Sequence, residues 1–210
     1  MRPLILVGGG GHCKSVIDAA ESADFTIKGV LDIPENVGKF ILGYQIIGTD
    51  DDIPKFVDDC DFIVTVGFIK DTSLRICLHE NIEKVGGQLA TVIASTAHVS
   101  RYAAIASGTV VLHQATINAS VNIGKGCIIN TSANIEHDAV IGNYCHISTG
   151  AMVNGDCKVG NCTFLGSQSV MVNATSIVDG CIIAAGAMVR KNIVQRGVYS
   201  GNPALLKIKI

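Results

Sequence analysis

The sequence predicts two units in series: a small α/β half-Rossmann domain over residues 1–90, then an all-β parallel β-helix with a C-terminal tail over residues 91–210. Two features carry this. From Ile93 to Val189 every sixth residue is aliphatic or Met without one slip, and the residue four places further on is small at every step from Ala97 to Ala187 except Val121. Ahead of that run, strand-like apolar stretches alternate with amphipathic ones. A helix at 3.6 residues per turn cannot hold every sixth side chain on one stripe, and a flat strand alternates with period two. A strict hexad marks a parallel β-helix, in which each repeat is one side of a coil. Three sides make an 18-residue coil, so the run supplies a little over five coils.

Taken in order, Leu4–Val7 reads as a buried strand, Gly8-Gly9-Gly10-Gly11-His12 as a loop, and Cys13 to Ser22 as a helix. Ile27–Leu31 is a second strand closed by Asp32 and Pro34, and Asp50 to Asp58 a short helix. Phe62–Val66 is a third strand ending at Gly67, and Asp71 to Val85 a helix with Leu74, Leu78 and Ile82 on one face. Leu89–Ile93 leads into the hexads. Alternating strands and helices imply βαβ units and a parallel sheet.

The glycine run follows a strand and opens a helix. Backbone N–H groups and positive potential gather there, and the absence of side chains lets a phosphate approach. It is not a dinucleotide fingerprint, because position 13 is Cys and the domain has no second nucleotide-binding half. The loop suits a nucleotide or nucleotide-sugar phosphate, or a plain tight turn. Asp32 suits a ribose hydroxyl, or a strand-end turn.

The chain is long enough to bury a substantial core. Hydrophobic residues make up 48% and charged residues 16%, which suits a repeat protein with a solid interior. A net charge of −2 with no concentrated basic stretch argues against nucleic acid or a membrane surface as partners. Lys207 and Lys209 read as a solvated tail. No apolar run reaches the length of a transmembrane helix, and the apolar stretch at the start is too short for a signal peptide. The eight cysteines are therefore expected to be reduced, in the cytoplasm. Cys127, Cys145, Cys157 and Cys181 fall on the small hexad position and should point inward as small hydrophobes. No spacing suggests a metal.

Folded at 18 residues per coil, the hexads produce three corner columns. One, through Gly124-Lys125, Gly142-Asn143 and Gly160-Asn161, is plain turn chemistry. A second holds Asn118-Ala119, Glu136-His137-Asp138 and Asn154-Gly155-Asp156. A third holds Asn130-Thr131, Ser148-Thr149-Gly150, Gly166-Ser167-Gln168 and Ala184-Ala185-Gly186, whose small side chains leave a groove parallel to the axis. His137 between two acids is a candidate general base, or a surface-corner histidine. Its neighbours on regular extended backbone would face opposite ways, so Asp138 reaches it only if the corner turns the chain; otherwise Glu136 is the candidate partner. His146 lies half a coil away, so one coil cannot join the two histidines, whereas two adjacent subunits can.

Taken together, these motifs resemble a family. The Gly-Gly-His loop, the small α/β domain, the hexads, Asn-Ile-Glu-His-Asp at 134–138, Cys-His-Ile-Ser-Thr-Gly-Ala at 145–151 and Gly-Asn-Pro-Ala at 201–204 resemble the bacterial sugar O-/N-acyltransferases. That family includes sialic acid O-acetyltransferases and acetyltransferases of nucleotide-linked 4-amino sugars. The resemblance implies a left-handed coil, against the usual right-handed crossover, a homotrimer, and acetyl-CoA bound between subunits with no metal. It implies His137 as general base with Asp138 enhancing its basicity, and His146 near the thioester. It places Ser167 and Ala185 on the cofactor, and Gly10, Gly11, His12, Asp32 and Gly67 around a nucleotide sugar. Cys13 stands where Gly is common, and Ile33 where some nucleotide-sugar members carry a second acid. The expected activity is N-acetylation of a nucleotide-linked 4-amino sugar. O-acetylation of a sialic acid or related sugar is the alternative, and a non-catalytic hexapeptide-repeat binding protein the remote one.

Overall fold

The computed structural model describes residues 2–210. In the α/β domain, β1 (Leu4–Val7) is wholly buried and lies between β2 (Ile27–Leu31) and β5 (Asp61–Val64), parallel to both. Its uninterrupted apolar run fits a strand covered on both faces. The helix α1 (Gly11–Ser22) begins two residues earlier than its apolar pattern suggests, and α2 spans Ser73–Lys84. A hairpin that the sequence did not announce, β3 (Phe40–Ile41) and β4 (Tyr44–Gly48), extends the sheet beside β2. Its turn places both Leu42 (φ 47°) and Gly43 (φ 89°) in left-handed backbone, and Leu is an unusual residue there. The segment after β4 is a 3-10 helix, Asp50–Lys55, shorter than expected and carrying Pro54. With β6 (Gln88–Leu89) on the far edge, the strand order is β3-β4-β2-β1-β5-β6.

The chain then winds as a left-handed parallel β-helix. Two-residue strands from Val92–Ile93 to Met188–Val189 stack into three parallel sheets, and each residue pairs with the one 18 further on, as Val110 with Ile128 and Ile128 with His146. The hexad residues point inward: Ile117, Ile129, Ile135 and Ile147 are fully buried, with Ala133, Ala139, Cys127 and Cys145 filling the corners between them. All eight cysteines are unpaired. The inward thiols of Cys127 and Cys145 donate to the Gly142 and Gly160 carbonyls of the next coil, both at 3.1 Å.

Each corner turns on one residue in left-handed backbone, and these recur every sixth position from Gly108 to Gly186. Most are not glycine; Gln114, Ser120, Ser132, Asp138, Tyr144 and Asp156 all have φ between 53° and 63°. Such backbone costs about 1–2 kcal/mol per non-glycine residue, which the coil-to-coil hydrogen bonds must offset. At the plain corner an amide ladder helps: the side-chain oxygens of Asn143, Asn161 and Asp179 accept the backbone N–H of Lys125, Asn143 and Asn161 at 2.8–2.9 Å. The C-terminal segments Gly197–Ser200 and Leu205–Lys209 add the last two strands of one sheet, the final one antiparallel.

The α/β domain covers one face of the early coils. Val92, Val110 and Leu112 pack with Val16, Ala19 and Ala20 of α1, so outward residues of that face are buried too. On the other flank, α2 supplies Arg75 and His79, both essentially inaccessible. His79 donates Nδ1–H to the Arg75 carbonyl at 2.7 Å and meets the Tyr144 ring edge-on at 5.4 Å. Burial, and then the Arg75 charge, push its pKa down to about 4.

Two outcomes follow from this packing. A Cβ at Gly160 would stand 2.5 Å from the backbone nitrogen of Asp179 in the next coil. Gly160→Ala is expected to destabilise by about 1–3 kcal/mol through overpacking, read as a lowered denaturant midpoint. Neutral His79 contributes stability in full above about pH 6.5, and this is lost as pH falls toward 4, on the order of 3 kcal/mol for a group titrating at 6.5 when unfolded and about 4 when folded. Denaturant midpoints measured between pH 7.5 and 4.5 should fall accordingly, and His79→Gln should flatten part of that slope.

Candidate active site

The sheet order places β2 and β5 on opposite sides of β1. The strand order reverses there, and the crevice beyond the strand ends is where open α/β sheets bind ligands. Gly8–Gly11 leave β1, Asp32 follows β2, and Gly67 and Phe68 follow β5, so the predicted substrate residues gather at one crevice. Gly8 takes φ 109°, and a Cβ on it would meet Val66 Cγ2 at 2.5 Å. A Cβ on Gly9 would meet the Asp32 carboxylate at 2.5 Å, so that acid lies against the loop. Gly10 and Gly11 face open space at the uncapped N-terminus of α1. Asp32 accepts from Asn36 Nδ2 at 2.7 Å, and Asn36 accepts from Lys39.

His12 lies in the first turn of α1 beneath this loop, with its ring 3.7–3.9 Å from where a Gly67 Cβ would stand. Its Nε2 is buried with no partner. Burial, then the charges of Arg75 and His146, lower its pKa to about 3, so the ring is neutral. Across the domain boundary stands His146, its centroid 6.5 Å from that of His12 and edge-on to Phe68 at 5.7 Å and Phe164 at 5.1 Å. His146 Nδ1–H donates to the Phe68 carbonyl at 2.9 Å, and Nε2 accepts from Asn130 Nδ2 at 3.1 Å. The Asn130 amide is itself oriented, since its Oδ1 accepts the Thr131 N–H at 2.8 Å. Chiefly through burial, the His146 pKa falls to about 4. With its one N–H given to Phe68, neutral His146 has none left for a developing oxyanion. The result is a slot walled by two neutral imidazoles and two phenyl rings.

His137 sits elsewhere. It occupies the corner between the two sheets that do not contain His146, on the opposite side of the prism. Asp138 takes φ 61°, and this corner turn brings its carboxylate back to His137: Nδ1–H donates to Oδ2 at 2.8 Å. Glu136 is committed elsewhere, accepting from Asn118 Nδ2 at 2.8 Å and Asn134 Nδ2 at 2.9 Å. Asp138 therefore orients the ring. Its hydrogen bond, with the nearby charges of Glu136 and Asp156, raises the pKa of this exposed histidine above the ordinary value. The Nε2 lone pair is left free, over Gly155 of the next coil, where a Cβ would stand 2.9 Å from it.

At the third corner Ser167 is half-buried, with its hydroxyl 3.1 Å from that of Ser148. Ala185 is exposed, and Gly166 lies so close beneath it that a Cβ would meet the Ala185 nitrogen at 2.5 Å. This is the small-residue groove. One chain thus brings Gly10, Gly11, His12, Asp32, Gly67 and His146 around a single cleft, but leaves His137 and Asp138 on another side. Residues that sequence reasoning did not single out complete the picture: Asn130 fixes the His146 tautomer, Phe68 and Phe164 wall the slot, and Gly155 makes room for His137. Among the described residues no cluster suits a metal ion, and no helix is long and apolar enough to cross a membrane.

Residues 3–81 match the model of the PglD N-terminal domain. The perosamine N-acetyltransferase of Caulobacter crescentus, solved as a His→Asn variant in complex with CoA and GDP-perosamine, superposes with a TM-score of 0.92 at 28% identity, covering 98% of this chain and 96% of that one. The acetyltransferase domain of PglB from Neisseria gonorrhoeae FA1090 gives 0.91 at 28% identity, over 99% and 100% of the two chains. A curated relative, the uncharacterized protein L142 of Acanthamoeba polyphaga mimivirus, is 33% identical over 106 residues, half of this chain; the chain spans about a fifth of that relative's length (20%). With a PglD-type N-terminal domain and a hexapeptide-repeat β-helix in one continuous likeness, the chain is similar over nearly its whole length to sugar acetyltransferases of the hexapeptide-repeat kind.

Proposed function

We propose that the protein transfers an acetyl group from acetyl-CoA to the amino group of a nucleotide-linked 4-amino sugar. The observation that carries this is the oriented His137–Asp138 pair, a free and basic Nε2 on the scaffold whose solved counterpart holds CoA and GDP-perosamine. The α/β crevice takes the nucleotide sugar, with its phosphates toward Gly10 and Gly11 at the α1 N-terminus and Asp32 and His12 beside the sugar or ribose. Gly67 lines the opposite wall. Acetyl-CoA lies along the small-residue groove past Ser167 and Ala185, its thioester toward His146.

The acceptor nitrogen attacks the thioester carbonyl while His137 Nε2 takes its proton. Asp138 holds Nδ1–H and favours the imidazolium that forms. The tetrahedral centre collapses by breaking the C–S bond, and the CoA thiolate takes the proton back from His137. The oxyanion falls to a backbone N–H, because His146 has no N–H to spare. No acyl-enzyme is required: Cys127, Cys145, Cys157 and Cys181 are buried in the solenoid. Since His137 faces away from the His146 slot, the site is completed by a neighbouring copy, most simply in a homotrimer with the second corner of one chain against the third of the next. A single acid at Asp32, followed by Ile33, is the one feature that favours the alternative acceptor, the hydroxyl of a sialic acid or related sugar.

Thiol release from acetyl-CoA, measured against UDP- and GDP-linked amino sugars and free sialic acids, tests the reading; release only with sialic acids would replace the amine acceptor. His137→Ala is expected to lower turnover by about two to four orders of magnitude, and near-normal turnover would remove His137 from the mechanism. Because His137 must be neutral to act, kcat/KM should fall as pH drops through its raised pKa, and Asp138→Asn should move that acid limb to lower pH while lowering the plateau. Verified monomers should be inactive; an active monomer would rule out the shared site.

A further inference from the structure

Arg75 is the third residue of α2 and is 1% exposed. Both circumstances are unfavourable: a cation at a helix N-terminus opposes the helix dipole, and a buried charge needs full compensation. Among the described residues no carboxylate pairs with it; carbonyls compensate it instead. Nη1 donates to Val64 and Val66 at 2.8 Å each, Nε to Gly126 at 2.8 Å, and Nη2 to Gly108 at 3.4 Å. The Val64 carbonyl ends β5, the Val66 carbonyl lies two residues beyond it, and the other two are corners of the early β-helix. Val66 precedes Gly67, where an added Cβ would pack on His12, and Phe68, whose carbonyl accepts from His146. The 66–68 turn is therefore gripped at one end by Arg75 and at the other by His146.

We propose that Arg75 is a positioning residue: by joining the Val66 carbonyl of one domain to the Gly108 and Gly126 carbonyls of the other, it sets the acceptor crevice in register with the His146 slot. This rests on the reading above, in which that crevice holds the acceptor. A planar guanidinium reaches carbonyls on two sides at once, which an ammonium on a flexible stem does not reproduce. Its charge adds to burial in keeping both cleft histidines neutral.

The test is Arg75→Lys. The KM for the nucleotide-sugar acceptor should rise about tenfold or more while that for acetyl-CoA moves less than about twofold. In the ligand-free protein, amide hydrogen exchange at Thr65 and Gly126, whose N–H groups donate to the Val7 and Ser107 carbonyls, should quicken about tenfold, with the coils around Ile135 unchanged. Equal losses for both substrates, or faster exchange throughout, would reduce Arg75 to general scaffolding and overturn the proposal, as would unaltered acceptor KM and exchange. If the wild-type protein transfers no acetyl group, the functional reading fails while the exchange comparison still decides the role of Arg75. Should the variant not fold, the wild-type guanidinium N–H resonances decide: slow exchange and hindered rotation are expected, and freely rotating, rapidly exchanging groups would sink the clamp.

Discussion

Everything in this molecule depends on the coil-to-coil backbone register. Each strand of the β-helix is two residues long, too short to persist alone, and exists because identical strands lie 18 residues before and after it. The inward aliphatic and small side chains keep that register by filling a triangular interior that tolerates no slip. A one-residue shift would turn every inward residue outward. Because the register is uniform, polar corner residues stack into columns, and a column is a place where chemistry can be lined up along an axis.

The same register separates the chemistry. His137 and His146 are nine positions apart in an 18-residue cycle, so they occupy opposite sides of the prism whatever their rotamers. Their environments differ as sharply as their positions. His137 is exposed, paired with a carboxylate and basic; His146 is enclosed, tied by both ring nitrogens and neutral. An exposed base and an enclosed wall residue are suited to different tasks, and their separation is the physical ground for reading the site as one shared between copies.

Much of this was legible in the sequence, and the rest failed for physical reasons. The hexads from Ile93 to Val189 matched the strands residue for residue, since period six has no competing local explanation. The β3–β4 hairpin escaped because its turn uses Leu42 where Gly or Asn would have signalled it. The His137–Asp138 contact stood open because it depends on the backbone at Asp138, and the recurrence of left-handed corners every sixth residue settles it. The burial of His146 was not legible at all. It occupies the outward position of its strand, and only the α/β domain above makes that face an interior. For the same reason a helical Arg75 reads as solvent-facing, and a loop Phe68 as incidental, until both halves are assembled.

The stacked corners also make the molecule a ruler with discrete divisions. Adjacent coils are separated by one strand spacing, about 4.8 Å, and the His137 column and the small-residue groove advance together along the axis. Gaining or losing a whole coil would lengthen or shorten the distance from His137 to the C-terminal strands by one division and leave both columns in phase. Any other length change would rotate one column away from the other. Descendants of such a chain can therefore be resized for ligands of different length only in steps of one coil, whereas the loops of the α/β domain vary residue by residue.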